Sequence, residues 1–494
     1  MLPDYRKKRR SGLIRSPLFS CIVLLACAAA PCAAQRMVFA HYMLTNQDYQ
    51  ADDDPTQEKK IAAYEREIQQ AQAIGIDGFA LNAGGWLRET YYIRYAAQIF
   101  EAALRLHSGF KLFFSADMCC GNGIDDVEDM MRRFAANPRY AGVYFRYQGR
   151  AVLTTFAGEK LGLSAWQQIR KDLEDGAHPS TQTEPSILPP AASAPSNAPL
   201  SIFLVPAFFW GGELPSAVSI EQGFHDWSSV IDGSFYWGIA GVPGSGSALD
   251  PTISTDRYAS VLHRGGRLFM APVCLQFWGA NADRYYEYSG AAGMRAMWMD
   301  AIDVSHPEWV EIITWNDFIE GTYISPIDDP NKYPGANFLT SSGIPLNTRN
   351  YFHSHEAATA LLHYFIQWYK SGVQPPIQRD AVYFFYRTHP AGAAPGKPSV
   401  QHTYGPVSDR IYITANLRTA AELRVTTGGH ATLLHLPAGS HDVQTPFLTG
   451  EAPAFELLRN EKIVAAVKAR DPIQNSPEFN NYYYATGVLN APER

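Results

Sequence analysis

Two carboxylic acids lie directly after an apolar run late in the chain. β-Branched residues dominate positions 310–313, the run stops at Trp315, and Asn316, Asp317 and Glu320 follow at once. Buried parallel strands are near-continuous apolar runs, and α/β barrels place their chemistry where such strands end. Two carboxylates three residues apart at that place are candidates for a general acid and a general base. The alternative interpretation is that Asp317 caps a helical turn and Glu320 completes the cap.

Polar and aromatic side chains also end other predicted strands, where they could form a substrate-binding surface. Each has a structural alternative: a histidine can be hydrogen-bonded in a core, an asparagine can begin a turn, and an aspartate can bind neighbouring amides. The indoles can form a stacking surface or pack a lid. The candidate binding residues are His41, Asn82, Asp117, Trp210, Trp237, Gln276, Trp315, Asn316 and Tyr323.

The combination of these residue types favours a carbohydrate ligand. Sugar hydroxyls need several polar partners, and the apolar face of a sugar ring needs an aromatic plane. Glycosidic cleavage then requires one carboxylic acid that protonates the leaving oxygen and one carboxylate that activates water or attacks the anomeric carbon. The sequence therefore predicts that Asp317 and Glu320 act on a bound glycan.

The elements that would position these residues alternate between strand and helix. Eight strands alternating with helices predict an α/β fold, the (β/α)8 TIM barrel, with residues 356–370 as its closing helix. The predicted helices include residues 56–74, 91–106, 127–136, 165–175 and 258–264. The predicted strands are residues 38–42, 78–82, 111–117, 151–156, 202–209, 233–238, 268–276 and 309–315.

The amino-acid composition and pattern of the chain change at two places. Residues 178–199 are rich in Pro, Ser and Ala, which predicts a disordered insertion within a barrel at 35–373, with a domain linker as the alternative. From residue 374 to 494, short alternating segments separated by turns predict a C-terminal antiparallel β-sandwich domain. Its predicted strands are residues 382–386, 410–416, 421–427, 432–436, 455–459 and 463–468.

Residues 1–34 have the layout of a secretory signal peptide: a basic start, an apolar stretch and a small-residue exit. The alternative is a bacterial lipoprotein site with a lipid anchor at Cys27, so we expect a secreted, periplasmic or cell-surface protein. Removing this segment takes away six basic side chains and one acidic side chain, which moves the net charge from −7 to −12. The acidic mature chain argues against nucleic acid as a partner, and no later segment is apolar enough for a transmembrane span.

The remaining motifs argue against metal or cofactor chemistry. The mature chain keeps Cys119, Cys120 and Cys274, an odd number without metal-ligand spacing. Cys119 and Cys120 could form a vicinal disulfide or simply pack at a strand end. The chain has no phosphate-binding glycine loop and no Gly-x-Ser-x-Gly nucleophile motif. We therefore expect no cofactor and no metal site.

Four segments resemble glycoside hydrolase family 71, the α-1,3-glucanases or mutanases, and the chain is identified as a bacterial-type member. They are residues 38–43 (Val-Phe-Ala-His-Tyr-Met), 67–82 (ending Gly-Ile-Asp-Gly-Phe-Ala-Leu-Asn), 111–118 (Lys-Leu-Phe-Phe-Ser-Ala-Asp-Met) and 314–320 (Thr-Trp-Asn-Asp-Phe-Ile-Glu). The resemblance implies a TIM barrel with a C-terminal β-sandwich, and inverting, endo-acting hydrolysis of α-1,3-glucan. It also implies that Asp317 and Glu320 are the catalytic pair.

The chain departs from the family pattern at two positions beside that pair. Ile319 stands where Gly is usual, and Gly321 stands where Ser is usual. The Glu-Gly-Thr ending at residues 320–322 is also similar to the endo-α-mannosidases and endo-α-mannanases of glycoside hydrolase family 99. The alternatives are therefore hydrolysis of an α-mannan or another α-glucan, or a glycan-binding barrel that has lost catalysis.

Overall fold

The computed structural model describes residues 36–45, 57–176, 196–279, 284–327, 338–339, 345–346, 352–393, 402–477 and 480–491. The predicted signal peptide, the lipid-anchor candidate Cys27 and most of the 178–199 insertion lie outside the described residues. Residues 36–494 group into one compact unit.

The first half of this unit contains a curled, mostly parallel sheet. The strands are apolar on both faces because one face meets helices and the other meets the interior of the curl. Its eight parallel strands occur at or within a few residues of the predicted segments. They are β1 (Met37–Met43), β2 (Gly78–Ala83), β3 (Lys111–Asp117), β5 (Arg150–Phe156), β6 (Ile202–Pro206), β7 (Gly233–Phe235), β8 (Leu268–Val273) and β11 (Trp309–Ile312). The short antiparallel β4 (Arg146–Tyr147) was not predicted and extends this sheet, and the hairpin of β9 (Phe277–Gly279) and β10 (Arg284–Tyr286), also not predicted, belongs to a separate sheet.

The strand order explains the curl of the sheet. β1 lies between β2 and β11, β3 pairs with β2 and β5, and β6 pairs with β5. On the other side, β11 pairs with β8, and β8 pairs with β7. A single parallel bridge between Ala207 and Phe235 joins the residue after β6 to β7. Because these strands are parallel, their carboxyl ends lie together at one edge of the sheet.

Aromatic side chains fill the interior of the curl. The ring of Phe39 lies 4.9 Å from those of Phe113 and Phe145 and 5.6 Å from that of Trp309. We call these four residues the aromatic layer. Because side chains alternate along a strand, His41 and Glu311 lie two residues above the layer on the same interior face. The layer therefore forms a packed floor beneath the carboxyl ends of the strands.

Helices cover the outside of the sheet with their apolar faces. In the helix Glu356–Ser371 (α8), which was predicted as the closing helix, Leu361, Leu362 and Phe365 are buried. None of the helices within the described ranges has the length and apolar character needed to cross a membrane. The helices are α1 (Gln57–Ala73), α2 (Tyr91–Leu106), α3 (Ile124–Met130, continued by a π-helical turn at Met131–Ala135), α4 (Leu163–Asp175), α5 (Ala217–Trp227), α6 (Pro251–Arg264), α7 (Ala292–Asp303) and α8 (Glu356–Ser371).

Two helices, α5 and α7, were not among the predicted patterns. Within α5, Gly223 packs closely against Trp210, and a Cβ there would lie 2.3 Å from the Trp210 ring. Gly293 near the start of α7 packs in the same way against Tyr288. Glycine lowers helix propensity by about 1 kcal/mol relative to alanine, so close packing at these positions hides the helical pattern.

The C-terminal part contains two four-stranded antiparallel sheets. The strands of one sheet are, in spatial order, β19 (Gly439–Pro446), β16 (Arg410–Leu417), β14 (Ala381–Tyr386) and β22 (Ala485–Asn490). Those of the other are β18 (His430–Leu436), β17 (Ala421–Thr427), β20 (Ala454–Arg459) and β21 (Lys462–Lys468). The Phe384 and Phe455 rings stack between the two sheets with centroids 3.9 Å apart, within a shared apolar core. The remaining strands are the antiparallel pair β12 (Phe338–Leu339) and β13 (Pro345–Leu346), and β15 (His402–Tyr404), which pairs in parallel with β10.

Candidate active site

The predicted acid and base lie on a tight turn, residues 314–322, which begins two residues after β11 ends. The Asp317 amide donates a hydrogen bond to Thr314 Oγ1 (2.8 Å). Asp317 Oδ1 accepts hydrogen bonds from the amides of Ile319 and Glu320, at 3.1 Å each. Asp317 therefore caps the turn with one of its two carboxylate oxygens, and these two amide donors favour its ionised form.

The turn is attached to the end of β1. The Trp315 amide donates to the His41 carbonyl (2.7 Å), and the buried Trp315 ring packs 5.3 Å from Phe79. The Asn316 side chain accepts from the Met43 amide at 2.8 Å and donates to the Met43 carbonyl at 3.1 Å. Trp315 and Asn316 therefore hold the turn against the sheet, and this positions the carboxyl groups of Asp317 and Glu320.

The environment gives the two carboxyl groups different tendencies to ionise. Burial, followed by the negative charge of Asp317, raises the pKa of Glu320 to about 8, while Arg284 opposes this increase. Burial also raises the pKa of Asp317, but the amides of Glu320 and Ile319 and the charge of His41 lower it. Neighbouring carboxyl groups whose environments separate their protonation can serve as acid and base at one pH. The geometry therefore favours a protonated Glu320 beside an ionised Asp317.

A buried pair, His41 and Glu311, lies beside the turn and above the aromatic layer. His41 Nδ1 and Glu311 Oε1 are 2.7 Å apart, and both side chains are completely buried. Burial raises the pKa of Glu311, and the hydrogen bond with His41 opposes this increase. His41 Nε2 is buried and has no hydrogen-bond partner within the described residues. The interior of the sheet therefore contains a fixed imidazole next to the candidate catalytic carboxylates.

Glu311 was not among the predicted site residues, although it lies within the apolar run at positions 310–313. Its neighbours Val310 and Ile312 are apolar, so the strand was interpreted through them. A charged residue within a completely buried strand is rare unless it has a partner. That signal could have identified Glu311, but its partner His41 lies 270 positions away in the chain.

Asn82 and Asp117 meet at the ends of β2 and β3. Asn82 Nδ2 donates to Asp117 Oδ2 at 3.4 Å. Asp117 Oδ1 accepts from the amides of Cys119 (2.8 Å) and Cys120 (3.3 Å), so it caps the short helical turn that follows β3. Both cysteines are free thiols in the structure. The turn-capping alternative for Asp117 is therefore present, together with its contact to Asn82.

Partly exposed aromatic rings lie on the same side of the sheet. The Trp237 ring lies 4.8 Å from His41 and 4.9 Å from Phe156, each in an edge-to-face arrangement. Phe209 lies 5.2 Å from Phe156. Phe156 is the last residue of β5, and Phe209 lies shortly after β6. Neither was among the predicted site residues. Together with Trp237 they form an aromatic surface beside the buried pair.

An ion pair lies across from Glu320. Arg284 at the start of β10 binds Glu213, with Nη1 and Oε1 2.8 Å apart, and its guanidinium lies 5.0 Å from the centre of the Phe277 ring. Arg284 lowers the pKa of Glu320, and Glu213 raises it. Neither residue was among the predicted site residues, because Glu213 lies in a loop and Arg284 in a hairpin rather than at the end of a strand of the curled sheet.

Two of the predicted binding residues are packed inside the protein. The Trp210 ring stacks 5.6 Å from Tyr258 of α6 and covers Gly223 of α5. The Tyr323 ring stacks 4.1 Å from His355, and its hydroxyl donates to the His353 carbonyl (2.7 Å). These contacts support the packing alternative, so the structure does not support direct sugar binding by Trp210 or Tyr323. The same holds for the buried Trp315 ring.

Gln276 is completely buried behind the turn. Its Oε1 accepts from the Tyr484 amide (3.1 Å), and its Nε2 has no hydrogen-bond partner within the described residues. A side chain in this position can support the turn. In the part of the chain that the structure describes, no three His, Cys, Asp or Glu residues are grouped so that they could hold a metal ion.

Two fungal proteins are similar to this chain over most of its length. The chain is 28% identical to the glucan endo-1,3-alpha-glucosidase agn1 of Schizosaccharomyces pombe over 462 residues, which cover 92% of this chain and 95% of that protein. It is 24% identical to the mutanase Pc12g07500 of Penicillium rubens over 463 residues, 92% of this chain and 88% of the mutanase. Both relatives are fungal.

A solved structure, the GH99 endo-alpha-mannosidase of Bacteroides thetaiotaomicron, aligns with 68% of this chain and 98% of its own, with a TM-score of 0.46 and 11% identity. The family described as Glycosyl hydrolase family 71 matches residues 34–494. This match covers the curled sheet, the 314–322 turn and the C-terminal sheets. The chain therefore belongs to glycosyl hydrolase family 71 and is a glycoside hydrolase.

Proposed function

We propose that this protein hydrolyses α-1,3-glucosidic bonds within α-1,3-glucan, using Asp317 and Glu320 as its paired carboxyl groups. Family membership and two relatives named as an endo-1,3-α-glucosidase and a mutanase support the substrate. The observation that carries the mechanism is the 314–322 turn, in which Asp317 accepts two amide hydrogen bonds while burial and the Asp317 charge keep Glu320 protonated. Hydrolysis with inversion requires one carboxyl group in each of these states.

Each carboxyl group has a defined part in this mechanism. Glu320 donates its proton to the glycosidic oxygen as the bond from that oxygen to the anomeric carbon breaks. Asp317 accepts a proton from the water molecule that attacks the anomeric carbon from the opposite face. The products are two shorter glucan chains, and the new reducing end has the inverted β configuration. In the next cycle, Glu320 must regain a proton and Asp317 must lose one.

The buried pair has a supporting role in this proposal. Glu311 accepts a hydrogen bond from His41 Nδ1, which leaves the Nε2 lone pair as an acceptor for a sugar hydroxyl or for water. That lone pair belongs to the neutral imidazole; in the imidazolium form Nε2 is a donor instead, and the positive charge lowers the pKa of Asp317 and so favours the ionised base. Asn82, Asp117 and the other interior polar groups would bind sugar hydroxyls.

The partly exposed aromatic residues are the proposed stacking surface. Trp237 is edge-to-face with His41 and Phe156, so a sugar ring placed on its exposed face would lie beside the imidazole. Stacking on an aromatic plane and hydrogen bonds at its edge are complementary contacts for a pyranose ring. This arrangement supports a bound glucan chain that passes from Trp237 towards the 314–322 turn.

The finer assignments of fold and location are also proposals. Eight parallel strands and the Ala207–Phe235 bridge support a closed (β/α)8 barrel over residues 35–373. The two antiparallel sheets and their shared core support a β-sandwich domain over residues 374–494. The N-terminal sequence supports secretion or a lipid anchor at Cys27.

Reducing sugar released from insoluble α-1,3-glucan tests the proposed function. The purified protein should release reducing ends from this polymer faster than from α-1,6-glucan, starch or α-mannan, and Glu320→Gln should abolish most of the release. Faster release from α-mannan would replace the proposed substrate. Binding to these glycans without release from any of them would favour the non-catalytic alternative.

A further inference from the structure

A segment of the C-terminal part, residues 480–484, reaches the 314–322 turn. It contains three consecutive tyrosines and leads directly into β22 of the sandwich sheet. The Tyr483 side chain is completely buried, and its hydroxyl donates a hydrogen bond to the Phe318 carbonyl. Its ring lies 4.5 Å from that of Trp278. The Trp278 amide in turn donates to the Glu320 carbonyl (2.9 Å), so both residues contact the backbone beside the two carboxyl groups.

Gly321 fits closely against this tyrosine. Its φ is +64°, and a Cβ at this position would lie 2.6 Å from Tyr483 Cε1 and 3.1 Å from Gln276 Nε2. A side chain would therefore be strained by the backbone conformation and would push the tyrosine ring away. The departure at residue 321, where the family pattern has Ser, therefore has a physical reason in this chain.

The tyrosine segment is itself held firmly in place. The Tyr484 hydroxyl donates to Glu287 Oε1 (2.5 Å), and Glu287 Oε2 lies 2.6 Å from Arg387 Nη1. Glu287 and Arg387 are buried, and they follow β10 and β14 respectively. A buried charge is strongly destabilised when its partner is lost, so this pair resists displacement. The Tyr484 amide also donates to Gln276, which lies behind the turn.

We infer that Tyr483 is a positioning residue for the catalytic turn, and that the C-terminal sheets are therefore part of the active site rather than a separate accessory module. This inference rests on the proposed roles of Asp317 and Glu320. The hydroxyl acts through the Phe318 carbonyl, one residue after Asp317 and two residues before Glu320. A displacement of about 1 Å at a catalytic group can lower a rate about 100-fold, so this contact can affect turnover without touching the sugar.

Tyr483→Phe tests the inference, and Tyr386→Phe is the matched control. Tyr386 is also buried in the C-terminal part, and its hydroxyl also donates to a backbone carbonyl, that of Asp471 (2.7 Å), but it does not contact the turn. Each variant loses one hydroxyl-to-carbonyl hydrogen bond, so we expect similar decreases in Tm. On soluble α-1,3-linked gluco-oligosaccharides, Tyr483→Phe should lower kcat about 10-fold or more with KM nearly unchanged. Tyr386→Phe should change neither constant more than about twofold.

The pH profile separates positioning from loss of stability. Release of the turn exposes Glu320 to water, so the alkaline limb of kcat should move to lower pH in Tyr483→Phe and stay in place in Tyr386→Phe. Equal kcat values and pH profiles in the two variants would overturn the inference. An inactive wild-type protein would refute the proposed function instead. In that case, the pH dependence of unfolding still reports Glu320, and it should weaken in Tyr483→Phe alone.

A second pair of variants tests the same contact if Tyr483→Phe does not fold. In Gly321→Ala, the added Cβ pushes against the Tyr483 ring and should displace it from the turn. Gly372→Ala is its control, because Gly372 has a similar φ of +70° and a Cβ there would meet only Arg36, at 3.9 Å. We expect Gly321→Ala to lower kcat about 10-fold more than Gly372→Ala. Equal effects of the two substitutions would contradict the positioning role.

Discussion

The free energy of unfolding of this protein should decrease as the pH rises from 4.5 to 8, because Glu320 keeps its proton in the folded state. The pKa of Glu320 rises from 4.5 to about 8 in the folded protein, through burial and the charge of Asp317. Within this pH range the folded state keeps a proton that the unfolded state has lost, so the free energy of unfolding decreases as the pH rises. The contribution is complete below the unfolded pKa and is lost as the pH passes through about 8.

The size of this effect follows from the change in pKa. At about 1.36 kcal/mol for each pKa unit, a rise from 4.5 to about 8 sets an upper limit of about 5 kcal/mol. Glu320 is partly exposed, so water screens the interaction, and we expect about 1–3 kcal/mol. Glu320→Gln keeps the shape and polarity of the side chain but cannot ionise. It should therefore lose this part of the pH dependence.

Urea unfolding at pH 5, 7 and 9 measures this contribution directly. Other buried carboxyl groups change protonation in the same range; for example, burial and Asp256 raise the pKa of Asp300 to about 8. The difference between wild type and Glu320→Gln removes their contribution, because both proteins contain them. A difference that grows by about 1–3 kcal/mol from pH 5 to pH 9 supports the reasoning. Parallel curves for the two proteins would refute it.

Four other substitutions test individual residues of the site. Asp317→Asn should lower kcat about 100-fold or more at pH 6, as measured by reducing-sugar release. Circular dichroism should show that the fold is retained. A near-normal kcat would remove Asp317 from the mechanism. Glu311→Gln should keep the hydrogen bond to His41 but lower kcat about 10-fold. It should also move the acidic limb of the pH profile to higher pH, because less positive charge at His41 raises the pKa of Asp317. An unchanged acidic limb would contradict this link between Glu311 and Asp317. Trp237→Ala should raise KM about 10-fold with a smaller change in kcat, because the bound sugar loses its aromatic plane, and an unchanged KM would exclude stacking there. Asp117→Ala should lower turnover at a cost of only about 1 kcal/mol of stability for the lost cap of the Cys119–Cys120 turn, as measured by kcat and Tm. A large loss of stability with unchanged turnover of the folded fraction would limit Asp117 to that structural role.

The strands and the acid–base turn could be predicted from the sequence because their signals are local. Residues 111–117 are both a predicted strand and an observed one, since an apolar run bounded by glycine and a polar end has one favourable structure. The same is true of the turn, where Trp315 and Asn316 end the apolar run. The short strand β7, by contrast, covers only three of the six residues predicted for it. Gly238, within the predicted segment, has a φ of +42°, so the chain leaves the extended conformation there.

The contacts that complete the site could not be predicted, because they join distant parts of the chain. His41 and Glu311 are separated by 270 positions, and Tyr483 and Phe318 by 165. No local pattern in the sequence encodes which polar side chain meets which carbonyl across such distances. The exposed strand β19 also has a polar sequence without a clear apolar alternation, so it was missed.

The anomeric configuration of the first sugar released tests the central claim most directly. The claim is that Asp317 and Glu320 act as base and acid in a single displacement by water, which inverts the anomeric centre. Proton NMR during the first minutes of hydrolysis of α-1,3-linked gluco-oligosaccharides should show the β-anomer of the new reducing end before mutarotation produces the α-anomer. Initial appearance of the α-anomer would contradict this account, because it would require a second displacement at the same carbon.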